Sequence, residues 1–331
     1  MSKPVLPKDG NGCPYLQLAP MEGVGDPAFR KTMAAVGGFD EAVTAFIRVP
    51  ENAHVQSLAK RYQSNEIAPI PLAAQIMGSD PDLMAAMGQE LAQRGALRID
   101  VNCGCPSNIV NRRGAGSVLL KNPDLLFKVV NAVVKAVAIP VTIKMRSGFD
   151  DTSLFFENLS AAAASGIQYI TLHPRTKSDG YRRPARWDLI AAAKEFLKIP
   201  VVGNGDIRNV ADALKMLQNT GCDGLMIGRG IVMNPFLFLQ IRSHFSGTAF
   251  QPVWEDLIRY FRVYISKLAD DLSPKQRVNK VKQLLALYCN SSEHLLHKRP
   301  EILAAQHTDP DEFFAFVQTC LNVYESGANR D

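Results

Sequence analysis

From Tyr15 to about Phe245 the sequence alternates regularly between short apolar runs and longer helical patterns. Strands separated by helices are typical of βα units, which build a parallel sheet. Eight such units match the ~250 residues typical of a (β/α)8 TIM barrel, so we predict this α/β fold. The eight runs span residues 15–19, 42–47, 70–76, 98–102, 141–145, 169–173, 201–203 and 224–227.

A doubly wound parallel sheet is the main alternative. That fold places a glycine-rich loop, G-x-G-x-x-G, directly after its first strand. Residues 19–23 read Ala-Pro-Met-Glu-Gly and do not match this loop. The barrel is therefore the favoured prediction.

The strand pattern stops after Phe245, and residues 254–268, 273–288 and 311–324 have helical patterns. The second helix has the strongest start signal, because Ser273 suits the N-cap, Pro274 the first position and Gln276 the third. We predict a barrel domain over residues 1–245 and a small helical domain over residues 246–331.

The net charge of +5 is modest, but its location is informative. Residues 273–299 contain six basic side chains and only one acidic one, Glu293, so this segment accounts for the whole excess of positive charge. A concentrated basic segment is typical of a nucleic-acid-binding surface, although a solvated helix face is the simpler interpretation. The basic residues are Lys275, Arg277, Lys280, Lys282, Lys298 and Arg299.

Composition indicates a soluble globular protein, with 47% hydrophobic and 21% charged residues. The six cysteines are scattered, which fits reduced thiols better than a disulfide framework. No apolar run has the length of a signal peptide or a membrane span. We therefore expect a cytoplasmic protein without membrane contact and without an obligate protein partner.

Polar residues follow nearly every predicted strand. In a TIM barrel the carboxyl ends of the strands form the active site, so these residues should share one mouth. In chain order the strand ends carry Pro20, Met21 and Glu22, Arg48, Gln75, Asn102 to Pro106, Lys144 and Arg146, His173 and Arg175, Asn204 and Asp206, and Gly228 and Arg229, most of which are polar.

Glycine-rich turns follow the last two runs, at residues 203–206 and 228–230. Barrels commonly bind phosphate at these positions through backbone N–H groups, because only small residues allow so close an approach. Either turn alone is equally consistent with a tight turn that binds nothing. Both together, with Arg229 beside them, favour a phosphorylated cofactor.

Gln75, Lys144 and His173 bring hydrogen-bonding groups from three strands to one mouth. A flavin ring needs such partners along its N1–C2–O2 edge and at N5. Lys144 fits a Schiff-base aldolase equally well, and His173 alone is compatible with a structural histidine. These residues by themselves leave both enzyme classes open.

Cys103 and Cys105 flank one glycine after the fourth run. Metal binding is disfavoured, because no second cysteine or histidine pair lies at zinc spacing. A disulfide between them would close too small a ring. A cysteine followed by Pro106 over the barrel mouth is better placed for proton donation or nucleophilic attack. No metal site is predicted.

Six motifs, in order along the chain, together resemble the tRNA-dihydrouridine synthases. The first is similar to the DusC-like branch of that family, whose target is uridine 16 of the tRNA D-loop. Beyond Tyr288 the resemblance weakens, and residues 290–311 do not align. The motifs are Ala-Pro-Met-Glu-Gly-Val at 19–24, Val-Asn-Cys-Gly-Cys-Pro-Ser at 101–107, Lys-Met-Arg at 144–146, His-Pro-Arg-Thr at 173–176, Gly-Asn-Gly-Asp-Ile at 203–207 and Ile-Gly-Arg-Gly at 227–230.

The resemblance implies a tightly bound FMN, with NADPH as electron donor and tRNA as substrate. It implies Cys105 as the catalytic acid and Cys103 as a bystander. The implied cofactor residues are Pro20, Met21 and Glu22 along the flavin ring, Gln75, Lys144 and His173 in contact with it, and Asn204, Gly205, Asp206, Gly228 and Arg229 around its tail. The implied tRNA contacts are Arg48, Asn102, Tyr181, Lys280 and Lys282.

The implied reaction reduces uridine to 5,6-dihydrouridine, with hydride passing from FMN N5 to uracil C6 and a proton from Cys105 to C5. Hydride addition at C6 leaves enolate-like charge, which protonation at C5 removes. A stacked base has to be turned out to reach the mouth. On the residues alone, a Schiff-base aldolase using Lys144 and a non-catalytic RNA-binding barrel remain alternatives.

Overall fold

The computed structural model describes residues 6–111, 114–291 and 293–325. At its centre nine strand segments form one sheet of parallel pairings, which the pairing of the second segment with the fourth closes into a ring. The strands are β1 (Tyr15–Leu18), β2 (Glu41–Val43), β3 (Ile47–Arg48), β4 (Leu72–Met77), β5 (Ile99–Cys103), β6 (Val141–Gly148), β7 (Ile170–Thr176), β8 (Val201–Asn204) and β9 (Gly224–Ile227).

Segments β2 and β3 are two pieces of one barrel position, because both pair with β4. The barrel therefore has eight positions, and the predicted (β/α)8 fold is confirmed. The sequence pattern predicted one continuous strand over residues 42–47, which is wrong. Between the two pieces the Thr44 hydroxyl accepts a hydrogen bond from the backbone N–H of Gln75 at 3.0 Å, so a side chain replaces part of the backbone ladder.

Fourteen α-helices surround and follow the barrel in the described ranges. Asp80 and Asn122 cap α3 and α5 as their Asp-Pro and Asn-Pro pairs predict. The helices are α1 (Pro27–Val36), α2 (Val55–Ala59), α3 (Pro81–Gln93), α4 (Asn108–Asn111), α5 (Pro123–Ala136), α6 (Phe155–Ala164), α7 (Trp187–Phe196), α8 (Val210–Thr220), α9 (Arg229–Met233), α10 (Leu237–Ser246), α11 (Trp254–Lys267), α12 (Pro274–Tyr288), α13 (Glu293–Ala304) and α14 (Pro310–Glu325).

The helical region packs on the barrel through α11, which lies against α1. Helix α12 begins with the predicted capping box, in which the Gln276 side chain accepts from the Ser273 N–H at 2.8 Å. Its buried face is Val278, Val281, Leu284 and Leu285, at helical spacing. One hydrophobic core runs through barrel and helices. The division at residues 245 and 246 falls in the last turn of α10 and stays a prediction.

Helix α13 was not predicted. Pro300 lies inside it, and proline normally ends a helix. No helix in the described ranges is both long and apolar enough to cross a membrane.

Candidate active site

A cavity of about 400 Å³ opens at the carboxyl ends of the strands. This volume lies within the ~300–1,000 Å³ typical of small-molecule sites. Most of the predicted cofactor residues line it, so the barrel brings together groups that are far apart in the sequence. They are Pro20, Met21, Lys144, His173, Asn204, Gly205, Asp206, Gly228 and Arg229.

The loops after β8 and β9 meet at one end of this cavity. A Cβ atom on Gly230 would lie 2.0 Å from the carbonyl oxygen of Ile207, so only glycine allows the two loops to touch. Arg208 and Arg229 line the cavity beside this contact. The arrangement matches the usual phosphate site of TIM barrels. Arg208 was not predicted, although it lies only two residues after the predicted turn.

Asp206 organises the loop after β8. One carboxylate oxygen accepts from Arg175 Nη2 at 2.6 Å and from the backbone N–H of Ala185 at 2.8 Å. Burial would raise the pKa of Asp206, but the hydrogen bonds from Arg175 and Ala185 outweigh it and lower the pKa. Asp206 is thus a carboxylate that fixes the buried Arg175, a residue to which the sequence analysis gave no role.

His173 is held as a neutral imidazole. Arg175 Nη1 lies 3.1 Å from His173 Nε2, and because a guanidinium only donates, Nε2 must accept and the ring proton must sit on Nδ1. Burial, then the charges of Lys144 and nearby arginines, lowers the pKa of His173 well below its ordinary value. Gly205, at φ 115°, leaves room for this ring, since a Cβ there would lie 2.8 Å from His173 Cδ2.

Lys144 projects from β6 into the same cavity. Its Nζ donates to Asn204 Oδ1 at 3.1 Å, and Asn204 Nδ2 donates to the Met226 carbonyl at 2.7 Å, which fixes the orientation of the amide. Burial, followed by repulsion from Arg146, lowers the pKa of Lys144 to about 8. Lys144 therefore remains protonated near pH 7, but it holds its proton less tightly than an exposed lysine does.

The two cysteines have different surroundings. Cys103 is fully buried in the main hydrophobic core, and burial raises the pKa of its thiol strongly. Cys105 does not line the cavity described above; it is 7% exposed on the loop after β5, where it packs with Met77, Phe46 and Ala115. Burial also raises the pKa of Cys105, and the charge of Glu22 adds to this rise. Cys105 thus remains a thiol that carries its proton.

Arg146 connects the cysteine loop to the loop after β7. This side chain is 2% exposed, and its Nε donates to the Gly104 carbonyl at 2.9 Å while Nη1 donates to the Thr176 carbonyl at 2.9 Å. Tyr181, on the second loop, is 56% exposed, and the Arg229 guanidinium lies 4.0 Å from its ring centroid. Arg146 belongs to the Lys-Met-Arg motif, but this connecting role was not predicted from the sequence.

Other predicted site residues lie away from the cavity lining. Gln75 is fully buried beneath the cysteine loop, and Asn102 is buried next to it. Glu22 is exposed on the turn after β1, and Arg48 is partly buried on β3. Their cofactor or RNA contacts stay predictions. Within the described ranges no cluster of three or more His, Cys, Asp or Glu side chains is placed to hold a metal.

The basic segment is less uniform than its sequence suggests. Lys282 Nζ donates to the carbonyls of Leu303, at 3.0 Å, and Ala305, at the end of α13. Lys280 lies 3.9 Å from the Asp26 carboxylate, and Lys275 is exposed. The structure gives Lys282 an internal role that the sequence analysis missed, and its RNA contact stays a prediction.

Fold and site together define a (β/α)8-barrel enzyme whose polar groups converge at the carboxyl ends of the strands. Residues 17–322 match the family model described as dihydrouridine synthase (Dus). The chain therefore belongs to the dihydrouridine synthase family, which is a family of oxidoreductases. The resemblance inferred from the six motifs is confirmed.

Curated relatives agree with this assignment. The chain is 38% identical over 285 residues to the tRNA-dihydrouridine(16) synthase of Pseudomonas putida, covering 83% of this chain and 88% of the relative. It is 35% identical over 325 residues to the protein of the same name from Neisseria meningitidis serogroup A, covering 94% and 95%. A solved 2-naphthoyl-CoA reductase complex shares only the fold, with 13% identity, a TM-score of 0.53, and coverage of 70% of this chain and 50% of that one.

Proposed function

We propose that the protein is an FMN-dependent tRNA-dihydrouridine synthase that reduces uridine 16 of the D-loop, with NADPH as electron donor. The observation that carries the proposal is the combination, at one barrel mouth, of a phosphate-type double turn, a cationic lysine, a neutral histidine and a protonated cysteine. Position 16 is supported by the names of relatives that are 35–38% identical.

The residues present fit FMN. The loops at Gly205 and Gly228 would hold the phosphate and tail together with Arg208 and Arg229, because backbone N–H groups and guanidinium groups bind phosphate well. Lys144 and His173 would donate to the polar edge of the ring. When bound, the flavin supplies the hydride that is added at uracil C6.

The protein's own chemical step is the delivery of a proton. After hydride addition at C6, the uracil ring needs a proton at C5. The Cys105 thiol can supply it, because burial raises the pKa of Cys105 and keeps the thiol protonated. Arg146 and Asn102 hold the loop that carries Cys105 through hydrogen bonds to its backbone. Cys103 takes no part, because it lies in the core.

The same mouth would receive tRNA. Tyr181 is an exposed aromatic side chain that lines the cavity, and a base turned out of the D-loop would meet it. Arg48 and Asn102 remain proposed tRNA contacts because the resemblance to the family implies them. Lys275, which is exposed, and Lys280, which is partly exposed, are the lysines of α12 best placed to contact phosphate. Because the substrate is tRNA, we expect the protein to act in the cytoplasm.

A spectrum and a mutant pair test the proposal. The purified protein should be yellow and release FMN on denaturation, and it should form dihydrouridine at position 16 of tRNA, as sequencing of modification sites would report. Cys105→Ala should retain FMN and NADPH oxidation but lose dihydrouridine formation by ~10²- to 10⁴-fold. Cys103→Ala, the matched control, should remain active.

The proposal fails if the protein is colourless and takes up no added FMN. In that case trapping of a substrate on Lys144 by borohydride would favour a Schiff-base aldolase. RNA affinity without flavin would favour a non-catalytic RNA-binding barrel. A product at position 17 or 20 would overturn only the assigned position.

A further inference from the structure

A buried chain of hydrogen bonds runs inside the barrel to the cysteine loop. Gln75 Nε2 donates to Asp100 Oδ2 at 2.7 Å, and Asn102 Nδ2 donates to Gln75 Oε1 at 2.8 Å. Asn102 Oδ1 then accepts from the backbone N–H groups of Gly104, at 2.9 Å, and Cys105, at 3.0 Å. Asp100 and Gln75 are fully buried, so water does not compete for these contacts.

The inner end of the chain has a fixed polarity. Asp100 Oδ1 accepts from the Thr142 hydroxyl at 2.6 Å and lies 3.3 Å from Arg98 Nη1. Paired with this guanidinium, the carboxylate only accepts hydrogen bonds. The Gln75 amide must therefore turn its nitrogen toward Asp100 and its oxygen toward Asn102.

At the outer end of the chain, the direction of the Gln75 amide fixes that of Asn102. Because Gln75 Oε1 faces Asn102, the Asn102 amide must donate through Nδ2. Its Oδ1 then accepts from the backbone N–H groups of the cysteine loop. If either amide turned over, donor would face donor or acceptor would face acceptor in a buried site, which is costly. We propose that Asp100 is a positioning residue for Cys105, which sets the direction of both amides and thereby holds the loop that carries the proton donor. This inference rests on the role proposed for Cys105.

Exchanging the two ends of the chain tests the inference. In Asn102→Asp, a carboxylate faces Gln75 Oε1, and Gln75 cannot turn over because of Asp100. In Asp100→Asn, the new amide nitrogen faces the Arg98 guanidinium or Gln75 Nε2, so two donors meet. In the double variant every contact is satisfied again: Asn at 100 donates to Gln75, Gln75 turns over and donates to Asp at 102, and that carboxylate accepts from the loop N–H groups.

Two rates should be measured in all three variants, the alkylation of Cys105 by iodoacetamide across pH in a Cys103→Ala background and the formation of dihydrouridine. We expect each single variant to lose at least ~10-fold in dihydrouridine formation and to change the alkylation profile, since a misplacement of 1 Å can cost about 10²-fold. The double variant should recover most of both. Thr171→Val is the control, because the Thr171 hydroxyl is buried on β7 with no partner among the described residues.

Losses that simply add in the double variant, or a double variant that does not fold, would overturn the positioning role. Alkylation profiles that do not change in the single variants would also overturn it. Failure of the proposed function looks different, because then the unmutated protein itself forms no dihydrouridine, while the alkylation comparison still reports on the loop.

Discussion

The buried charge of Lys144 should make the flavin-free protein less stable than it would be with an apolar side chain at this position. Burial lowers the pKa of Lys144 from 10.5 to about 8, so the folded protein holds this proton less tightly than the unfolded chain does. We expect Lys144→Met, which nearly conserves volume, to remove this cost. The same change should weaken FMN binding, because it removes a proposed ring contact.

The magnitude follows from the two pKa values. With about 1.4 kcal/mol for each tenfold change in proton affinity, the cost is about 3.5 kcal/mol, or about 2 to 3 kcal/mol after allowance for partial exposure of the side chain. Below pH 8 both states are charged and the cost is complete. Between pH 8 and 10.5 the folded state loses the proton first, so the wild type gains stability as pH rises. Loss of the donor to Asn204 offsets the gain in the variant by ~1 kcal/mol or more at every pH.

Urea unfolding of the flavin-free wild type and variant at pH 7 and pH 10 measures this effect. The variant's stability relative to wild type should fall by about 2 kcal/mol between the two pH values, because only the wild type recovers the cost. Comparing the two proteins at each pH cancels other titrating groups. Lys215→Met, on the exposed face of α8, is the control and should show no such change. A stability difference independent of pH would refute the assignment of the cost to Lys144.

Four other predictions address the loops after β8 and β9 and the C-terminal helices. Gly230→Ala should lower FMN affinity at least ~10-fold in a fluorescence titration, because its Cβ would lie 2.0 Å from a backbone carbonyl of the facing loop; unchanged affinity would count against the phosphate site. Replacing Lys275 and Lys280 by alanine should weaken tRNA binding and reduce its salt slope by roughly 0.7–0.9 per lost contact. Lys282→Ala should instead lower the Tm and leave that slope unchanged, and the reverse result would restore Lys282 as an RNA contact. Asn290→Ala should raise the Kd for FMN, since this residue lines the cavity from the helical side; an equal Kd would show that the contact is incidental.

Features that depend on local sequence could be predicted well. The barrel strands are apolar runs because both faces of a parallel sheet are covered, and the start of α12 follows from Ser273, Pro274 and Gln276 alone. The two glycine turns were also expected to meet at the barrel mouth, and both line the cavity, because a TIM barrel fixes where its last two strands lie.

Features that depend on distant partners could not be predicted. Arg146 contacts carbonyls of Gly104 and Thr176, which are 42 and 30 residues away along the chain. Lys282 caps a helix whose existence the sequence did not indicate. In each case the residue type allows many partners, and only the closed barrel or the packed helices select one. A lysine after a strand likewise fits two enzyme classes, and the family motifs decided between them.

Helix α12 links the two halves of the proposed function. Lys275 and Lys280 lie on the helix, while Leu287 near its C-terminus and Asn290 just beyond it line the cavity proposed for the cofactor. The helix is fixed between these ends by its buried face and by Lys282, which binds the end of α13. A rigid element that contacts both ligands couples their binding only if the ligands favour the same position of the helix. If both proposed sites are real, the capping by Lys282 would act in the free protein, because it would hold α12 in place before either ligand binds.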